Sequence, residues 1–517
     1  MSTTKRKPQR RPPSAGPGAD ISRVVRARFA LARKALARVP RAAWVCGLIA
    51  LLNAASWSLI TPPFLALDEP DHFAYVQTLV ETGRLPSSAN SEYSEEETVA
   101  LEDLQHSQVR FRPAGHTIFS SSAQEKLESD LARGLSRNGP GGAGVATSEP
   151  PLYYALAAIP YEIGSSGSIL DRLELMRLLS AFLAGLTALF VYLFLREALP
   201  RVRWAWTVGG LGVALAPLLG AASSAVDPDA LLFTVCAAVF YCLARAFRRG
   251  LTTPLALTIG SLTAVGLVSK LNFVGIAPGI VLGLVFLTRR EARTAGRRVY
   301  THMLAPALAI AVTPGVIYGL VNILSSHSTF GSVSGGAAGL TSTQHSISSA
   351  ISYIWQFYLP RLPFMHNDFP GLLVTRQIWF RNVVGLYGWG DTSFPAWVYD
   401  LALVLVAAIL ALCVRALVLA RLALRSRLSE LATYACISFG LLLLVGASGY
   451  LDFPASPAQY ADARYLLPLV VLWGSILALA ARGAGRRWGP VVGALIVVLI
   501  IAHDLFSQLQ VIARYYG

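Results

Sequence analysis

Apolar runs recur along this chain at a length that suits membrane-spanning helices. A helix needs about 20 apolar residues to cross the hydrocarbon core of a bilayer. The pattern therefore predicts an all-α polytopic membrane protein with about eleven transmembrane helices in a membrane domain that covers residues 43–510. The predicted spans are roughly 43–60, 173–196, 204–222, 229–245, 254–269, 272–288, 302–324, 395–414, 429–449, 464–481 and 488–510.

The composition excludes a soluble enzyme. Of the 517 residues, 54% are hydrophobic and only 14% are charged, whereas soluble domains carry about 25% charged residues. A soluble chain of this length would form two or three domains, each with its own charged surface. The charged residues present are too few to cover such surfaces, so the membrane interpretation holds.

The charged residues are unevenly divided among the predicted loops. If the N-terminus is cytoplasmic, the inner segments hold 30 of the 44 Lys and Arg residues but only four of the 29 acidic residues. This distribution follows the positive-inside rule and predicts an extracytoplasmic C-terminus in the cell membrane. The basic tail, residues 1–42, is rich in Pro and Gly and is expected to be mostly disordered. Its charges suit anionic membrane lipids as partners rather than nucleic acid.

Two predicted extracytoplasmic loops are long. The first, about residues 61–150, holds 14 of the 29 acidic residues. Asp68 and Glu69 lie close to the membrane at its start, and the apolar spacing from Pro70 predicts a helix lying on the bilayer plane. The middle of this loop is polar and expected to be mobile. The second loop, 325–394, begins with a flexible Ser- and Gly-rich stretch and continues with an aromatic surface helix.

Four further charged residues fall near the predicted outer face. Asp227 and Asp229 flank a proline before the fourth span, where Asp229 could cap the helix and both could line a site or hold a divalent metal. Lys270 lies in a recessed outer connection, where a cation indicates a functional site unless its side chain reaches up to the lipid head groups. Arg464, at the outer end of the tenth span, could make a forked contact with phosphate.

Several short motifs occur in an order that resembles a known superfamily. They are DEPDHF (68–73), EPPLYYALAAIPY (149–161), DPD (227–229), SK (269–270) and ARYLLPL (463–469). The arrangement resembles the GT-C polytopic glycosyltransferases, including the protein O-mannosyltransferases and the aminoarabinose and arabinofuranosyl transferases. It is more similar still to a bacterial family of predicted membrane proteins of unknown function that is itself GT-C-like.

The resemblance implies a membrane glycosyltransferase that uses a polyprenyl-phosphate sugar donor and an envelope glycan, lipid or protein acceptor. The Asp-Glu pair of the first outer loop is the catalytic motif of the O-mannosyltransferases. Asp68 is therefore expected to act as the general base of an inverting transfer, with Glu69 as its orienting or acceptor-binding neighbour. Lys270 and Arg464 are expected to bind the donor phosphate. The residues expected to line the substrates are His72, Asp227, Asp229 and Tyr465.

Two other classes of function remain open from the sequence. A transporter or flippase of a lipid-linked glycan could hold the same anionic head group on the same two cations. A non-catalytic envelope scaffold could bind a partner through the first outer loop. No cofactor is required by the proposed chemistry, no metal ligand set is assigned, and use of a divalent metal is left open.

Overall fold

The computed structural model describes residues 37–86, 92–110, 112, 120–139, 142–324, 346–388, 390, 392–452 and 462–517. Most of the basic tail, parts of the middle of the first loop and the Ser- and Gly-rich stretch at 325–345 lie outside the described residues. The predictions of disorder and mobility made for those segments therefore stay predictions.

The first half of the chain is helical from the first span onward. Its elements are α1 (Arg41–Ile60), α2 (Glu69–Thr82), α3 (Glu95–Asp103), α4 (His106–Val109), α5 (Ser121–Leu131), a 3-10 turn (Gly144–Ser148), α6 (Leu152–Ile163), α7 (Ile169–Ala198), α8 (Arg203–Ala214), α9 (Pro217–Ala222), α10 (Asp229–Arg249), α11 (Thr253–Leu267) and α12 (Phe273–Ala295).

The second half continues the helical pattern, with one small two-stranded sheet. Its elements are a π turn (Tyr300–Leu304) leading into α13 (Ala305–Leu324), α14 (Ile347–Tyr358), a π turn (Thr375–Phe380), α15 (Arg381–Gly385), β1 (Leu386–Tyr387), β2 (Thr392–Ser393), α16 (Ala396–Leu419), α17 (Arg421–Arg425), α18 (Leu428–Asp452), a 3-10 turn (Ala463–Leu469), α19 (Val470–Gly483) and α20 (Gly485–Tyr516). The strands pair antiparallel, with Leu386 opposite Ser393.

The polytopic prediction is confirmed, although the number of spans is only partly matched. Within the described residues, nine helices are long and apolar enough to cross a membrane. The predicted span 204–222 is instead divided into α8 and α9, because Pro217 holds Ala216 in an extended conformation and interrupts the helix. Helix α11 has only 15 residues, whereas α12 has 23 and is longer than predicted.

The predicted inner loops and the predicted outer loop lie at opposite ends of the bundle. Helix α7 spans its 30 residues over about 45 Å, from the first-loop end to Ala198. At the Ala198 end, Glu197 pairs with Arg249 (2.5 Å), and the Arg427 guanidinium donates to the Ala198 carbonyl (2.8 Å). At the other end, Arg514 of α20 donates to the carbonyl of Arg112 in the first loop (2.6 Å).

Helix α2 forms where predicted, and other parts of the protein cover its apolar face. Nine of its 14 residues are buried, and α6 and the 3-10 turn pack over it. Tyr75 of α2 stacks on Tyr154 of α6, with ring centroids 3.6 Å apart. The sequence pattern predicted the apolar face of this helix. It did not predict that protein, rather than lipid, would cover that face.

Candidate functional site

The candidate site is built around the linker that joins α1 to α2. Two residues that are not glycine have positive φ in this linker, Phe64 at 63° and Asp68 at 59°. Backbone of this kind costs about 1–3 kcal/mol per residue and persists only where the surroundings enforce it. Aspartate tolerates the left-handed region better than most residues. The strained backbone at Asp68 therefore indicates that the surrounding structure holds its side chain in a particular position.

A buried arginine enforces the linker conformation. The guanidinium of Arg177 on α7 donates to both carboxylate oxygens of Glu69, at 2.7 and 2.5 Å. It also donates to the carbonyls of Ser58, Thr61 and Pro62, at 3.0 to 3.1 Å. Both charged side chains are completely buried. Arg177 thus ties the end of α1, the linker and the start of α2 into one unit.

This contact changes the interpretation of Glu69. Its carboxylate also accepts the backbone N–H groups of Phe64 and Val226, each at 3.1 Å. Its carboxylate oxygens are therefore taken up by Arg177 and by two backbone N–H groups. These contacts leave Glu69 no free oxygen facing an acceptor, and they fit the other expected role, which is to orient Asp68 by positioning the linker.

Arg464 lies at the centre of the charged cluster. Its guanidinium contacts the carboxylates of Asp68 at 2.6 Å, Asp227 at 3.2 Å and Asp462 at 3.4 Å. The guanidinium carbon also lies 5.4 Å from the ring centroid of Tyr465. Three segments that are far apart in the sequence therefore meet at one cation: the linker, the turn before α10 and the start of the 3-10 turn before α19.

Lys270 holds the opposite side of the same cluster. Its ammonium contacts Asp227 at 3.2 Å and Asp229 at 2.8 Å. The Asp229 N–H donates to the Asp227 carboxylate (2.7 Å), so Asp227, rather than Asp229, accepts the first N–H group of α10. The predicted capping role of Asp229 is therefore wrong, because its carboxylate faces Lys270 instead.

An aromatic layer lies beside these charges. His72 approaches Asp227 at 3.6 Å through Nε2 and contacts the Tyr154 hydroxyl at 2.8 Å through Nδ1. The Asp227 N–H donates to the Tyr153 hydroxyl (3.1 Å). Glu149 accepts the N–H of Leu271, the residue after Lys270 (3.4 Å). Sequence reasoning did not select Glu149 or the two tyrosines, although all three lie within the EPPLYY motif.

Two carboxyl groups of this site, Asp68 and Glu149, lie outside the membrane-spanning helices, and their pKa values are shifted in opposite directions. Burial would raise the pKa of Asp68, but Arg464 and His72 outweigh it and hold that pKa below its ordinary value. Burial raises the pKa of Glu149 above its ordinary value despite nearby Lys270 and His72. Two carboxyls driven in opposite directions are the usual arrangement for one base and one protonated group.

The cluster opens on one side into a small cleft of about 80 Å³. Arg464, Asp227 and Asp462 contribute its charged wall, and Trp57 and Tyr387 contribute aromatic rings, whose centroids are 5.0 Å apart. The indole N–H of Trp57 donates a hydrogen bond to the Asp504 carboxylate of α20 (3.1 Å). The space is therefore bounded by cationic, acidic and aromatic groups.

The structure brings most of the predicted site residues together. Those that lie in one contiguous cluster are Asp68, His72, Asp227, Asp229, Lys270, Arg464 and Tyr465. Among the described residues, no group of three or more His, Cys, Asp or Glu side chains has a geometry that could hold a metal ion.

The apolar helices and their loops define a polytopic membrane protein. Residues 51–473 match the family described as predicted membrane protein (DUF2142). The chain therefore belongs to this family of predicted membrane proteins, which agrees with the unknown-function family expected from the motifs. No curated protein and no solved structure is significantly similar to it.

Proposed function

We propose that this protein is an outward-facing membrane glycosyltransferase that moves a sugar from a polyprenyl phosphate to a hydroxyl group of an envelope acceptor. The observation that carries the proposal is Arg464, which lies on the cleft wall beside the strained Asp68 (2.6 Å) and the buried Asp227 (3.2 Å). A carboxylate base and a cation for the departing phosphate are the two groups that such a transfer needs.

The choice of donor follows from the chemistry of the outer face. Nucleotide sugars are absent outside the cell, so the donor must be anchored in the outer leaflet. Phosphate is a good leaving group and needs a cation rather than a general acid. Glycoside hydrolysis differs, because there a second carboxyl group must protonate the leaving oxygen. The pairing of Asp68 with Arg464 fits transfer from phosphate better than hydrolysis.

The proposed step is a single displacement. The Asp68 carboxylate accepts the proton of the acceptor hydroxyl while that oxygen attacks the anomeric carbon. The bond from this carbon to the phosphate oxygen breaks, its electron pair stays on the phosphate, and Arg464 stabilises the charge. The anomeric centre is inverted. As Arg464 turns towards the phosphate, its contact with Asp68 weakens and Asp68 becomes a stronger base.

Lys270 takes a different role from the one that the sequence indicated. It contacts Asp227 and Asp229, and only 6% of its side chain is exposed. We therefore propose that Lys270 neutralises the charge of these two carboxylates, so that Arg464 can turn to the donor. Arg464 is the residue that contacts the phosphate.

The test is an assay of the reconstituted full-length protein with a radiolabelled polyprenyl-phosphate sugar. Asp68→Asn should lower turnover by about 100-fold or more, while the affinity for the donor persists. The control is Asp400→Asn, which removes an exposed carboxylate that pairs with Arg376 on the surface and should leave turnover unchanged.

Each other outcome of the assay contradicts the proposal in a distinct way. Label that crosses the bilayer without cleavage of the donor would favour the transporter. Donor that is neither cleaved nor moved would favour the scaffold. Full activity of Asp68→Asn would remove Asp68 from the mechanism.

A further inference from the structure

The two carboxylate oxygens of Asp227 have different partners. Oδ1 accepts the Asp229 N–H (2.7 Å) and lies 3.2 Å from the Lys270 ammonium. Oδ2 lies 3.2 Å from Nη1 of Arg464 and 3.6 Å from Nε2 of His72. Only 3% of the Asp227 side chain is exposed, so water has little access to it. Each oxygen therefore depends on the protein groups that face it.

The proposed transfer removes one of the partners of Oδ2. Arg464 turns towards the donor phosphate, and a buried carboxylate that loses an ion-pair partner is destabilised. Lys270 does not replace Arg464 there, because it faces Oδ1 and also pairs with Asp229 (2.8 Å). His72 faces the same oxygen as Arg464. A movement of about 0.8 Å would bring its Nε2 to the usual length of a charge-assisted hydrogen bond, about 2.8 Å.

His72 is placed to act on Asp227 rather than on a substrate. Only 3% of the residue is exposed, and the described lining of the charged cleft does not include it. Its Nε2 faces the Asp227 carboxylate instead. An effect of His72 on the transfer would therefore pass through Asp227.

The groups around His72 favour a charged ring. Burial lowers the pKa of His72 and so does Lys270, but the carboxylates of Asp227 and Asp68 outweigh both and raise that pKa above its ordinary value. Glu149 also lies near enough to interact with the charge of the ring. In a charged imidazole both nitrogens carry a proton. Both nitrogens of His72 therefore need an acceptor.

The Tyr154 hydroxyl lies at the second nitrogen. Its oxygen is 2.8 Å from Nδ1 of His72. Tyr154 is completely buried, and its ring stacks on Tyr75 with centroids 3.6 Å apart. A charged His72 donates its Nδ1–H to this oxygen, whereas a neutral ring protonated at Nε2 would accept the Tyr154 O–H instead. The two arrangements predict opposite effects of removing the hydroxyl group.

We propose that His72 is a positioning residue that replaces Arg464 at Oδ2 of Asp227 when Arg464 turns towards the donor. Tyr154 keeps His72 charged for this role by accepting its Nδ1–H. This inference rests on the proposed function. Because His72 and Lys270 then balance the charge of Asp227, Arg464 is free to stabilise the departing phosphate.

The first test is the pH dependence of kcat/KM in the transfer assay with the full-length protein. The donor is a phosphodiester, whose charge is constant over the range in which histidine titrates. For the wild type, kcat/KM should fall as pH rises through the pKa of His72. Tyr154→Phe removes the acceptor of the Nδ1–H, so the fall should move to lower pH by about one unit.

Tyr161→Phe is the matched control on the same helix. Tyr161 is also completely buried, but its hydroxyl contacts Glu81 and Arg172 (2.8 Å each), which are not part of the charged cluster. The fall in kcat/KM should stay at the wild-type pH in this variant. A move to higher pH in Tyr154→Phe would show that Tyr154 donates to a neutral ring. That result, or no move at all, would overturn the inference.

His72→Gln tests the replacement of Arg464 at Oδ2. A glutamine amide can donate to Asp227 but brings no charge. The variant should therefore have a kcat/KM at least about tenfold below the wild-type value on the acidic side of the fall, and the fall itself should be lost. Full kcat/KM in His72→Gln would overturn this role of His72.

The unfolding midpoint reports the charge of His72 without any turnover. In the absence of donor, the wild-type midpoint should fall as pH rises through the raised pKa of His72. Tyr154→Phe should show this fall at lower pH, and Tyr161→Phe should give a curve parallel to that of the wild type.

The two readouts separate the possible failures. Parallel midpoint curves for the wild type and Tyr154→Phe would overturn the role of Tyr154. A fall in the midpoint without any fall in kcat/KM would overturn the role of His72 at Oδ2. A wild-type protein that cleaves no donor would overturn the proposed function and that role with it, whereas the midpoints would still decide whether Tyr154 keeps His72 charged.

Discussion

At the level of single residues, two adjacent carboxylates have different partners, since Asp68 contacts Arg464 and Glu69 contacts Arg177. The resemblance to the protein O-mannosyltransferases predicted Asp68 and Glu69 together, because it treats the acidic pair of the first outer loop as one motif. Which of the two faces the site depends on the left-handed backbone at Asp68 and on Arg177, a residue more than 100 positions away. That contact is tertiary, and no local pattern in the DEPDHF motif reveals it.

The positioning role of Glu69 can be tested by removing the charge of its carboxylate. Glu69→Gln would leave the buried Arg177 with only the partly exposed Glu174 as an ion-pair partner, and loss of a buried partner costs about 3–5 kcal/mol. A large fall in the thermal unfolding midpoint in detergent is expected. The control is Glu174→Gln, since Glu174 contacts the same guanidinium (3.1 Å) but 41% of its side chain is exposed. Equal midpoints for the two variants would contradict the assignment.

His72 should make the stability of the site depend on pH. Burial would lower its pKa, but the Asp227 carboxylate outweighs burial and raises that pKa above the ordinary value. A raised pKa in the folded state stabilises the protein fully below about pH 6.5, and the gain is lost as pH rises through the raised pKa. The unfolding midpoint of the wild type should therefore fall over this range relative to that of His72→Gln. Parallel midpoint curves would show that His72 is not charged.

At the level of helices, the length of each apolar run predicted where a helix occurs. It did not predict whether lipid or other helices surround that helix. The predicted stretch 204–222 contains Pro217, which divides it into α8 and α9, and this boundary could have been placed from the sequence. The burial of α2 could not have been predicted in this way. It depends on α6, a helix some 70 residues later in the sequence, which packs over the apolar face of α2. The division of the loops between the two ends of the bundle was predictable, because Lys and Arg are concentrated in one set of loops.

Close contacts between helices depend on particular glycines. A Cβ atom on Gly440 of α18 would lie 2.1 Å from the carbonyl oxygen of Gly275 on α12, so the two backbones touch, as small residues allow in membrane helices. Gly440→Ala should lower the unfolding midpoint by forcing the helices apart. Gly315→Ala is the control, since a Cβ atom there meets nothing within 4 Å, and it should leave the midpoint unchanged or raise it.

For the whole molecule, the proposed chemistry depends on which end of the bundle faces outward. The linker with Asp68, helix α5 and the end of α20 share one end, while Glu197, Arg249 and Arg427 share the other. The structure fixes this grouping, and the charge distribution in the sequence predicts that the first end is extracytoplasmic. A lipid-linked donor is required only if that orientation is correct.

Labelling with a membrane-impermeant maleimide tests the orientation. Glu125→Cys on α5 should react in intact spheroplasts, whereas Arg425→Cys on α17 should react only after permeabilisation, because the two exposed positions lie at opposite ends of the bundle. The wild type controls for its own cysteines. The reverse pattern would place Asp68 and Arg464 on the cytoplasmic side, where nucleotide sugars are available. The argument for a polyprenyl-phosphate donor would then fail, even though the geometry of the charged cluster would be unchanged.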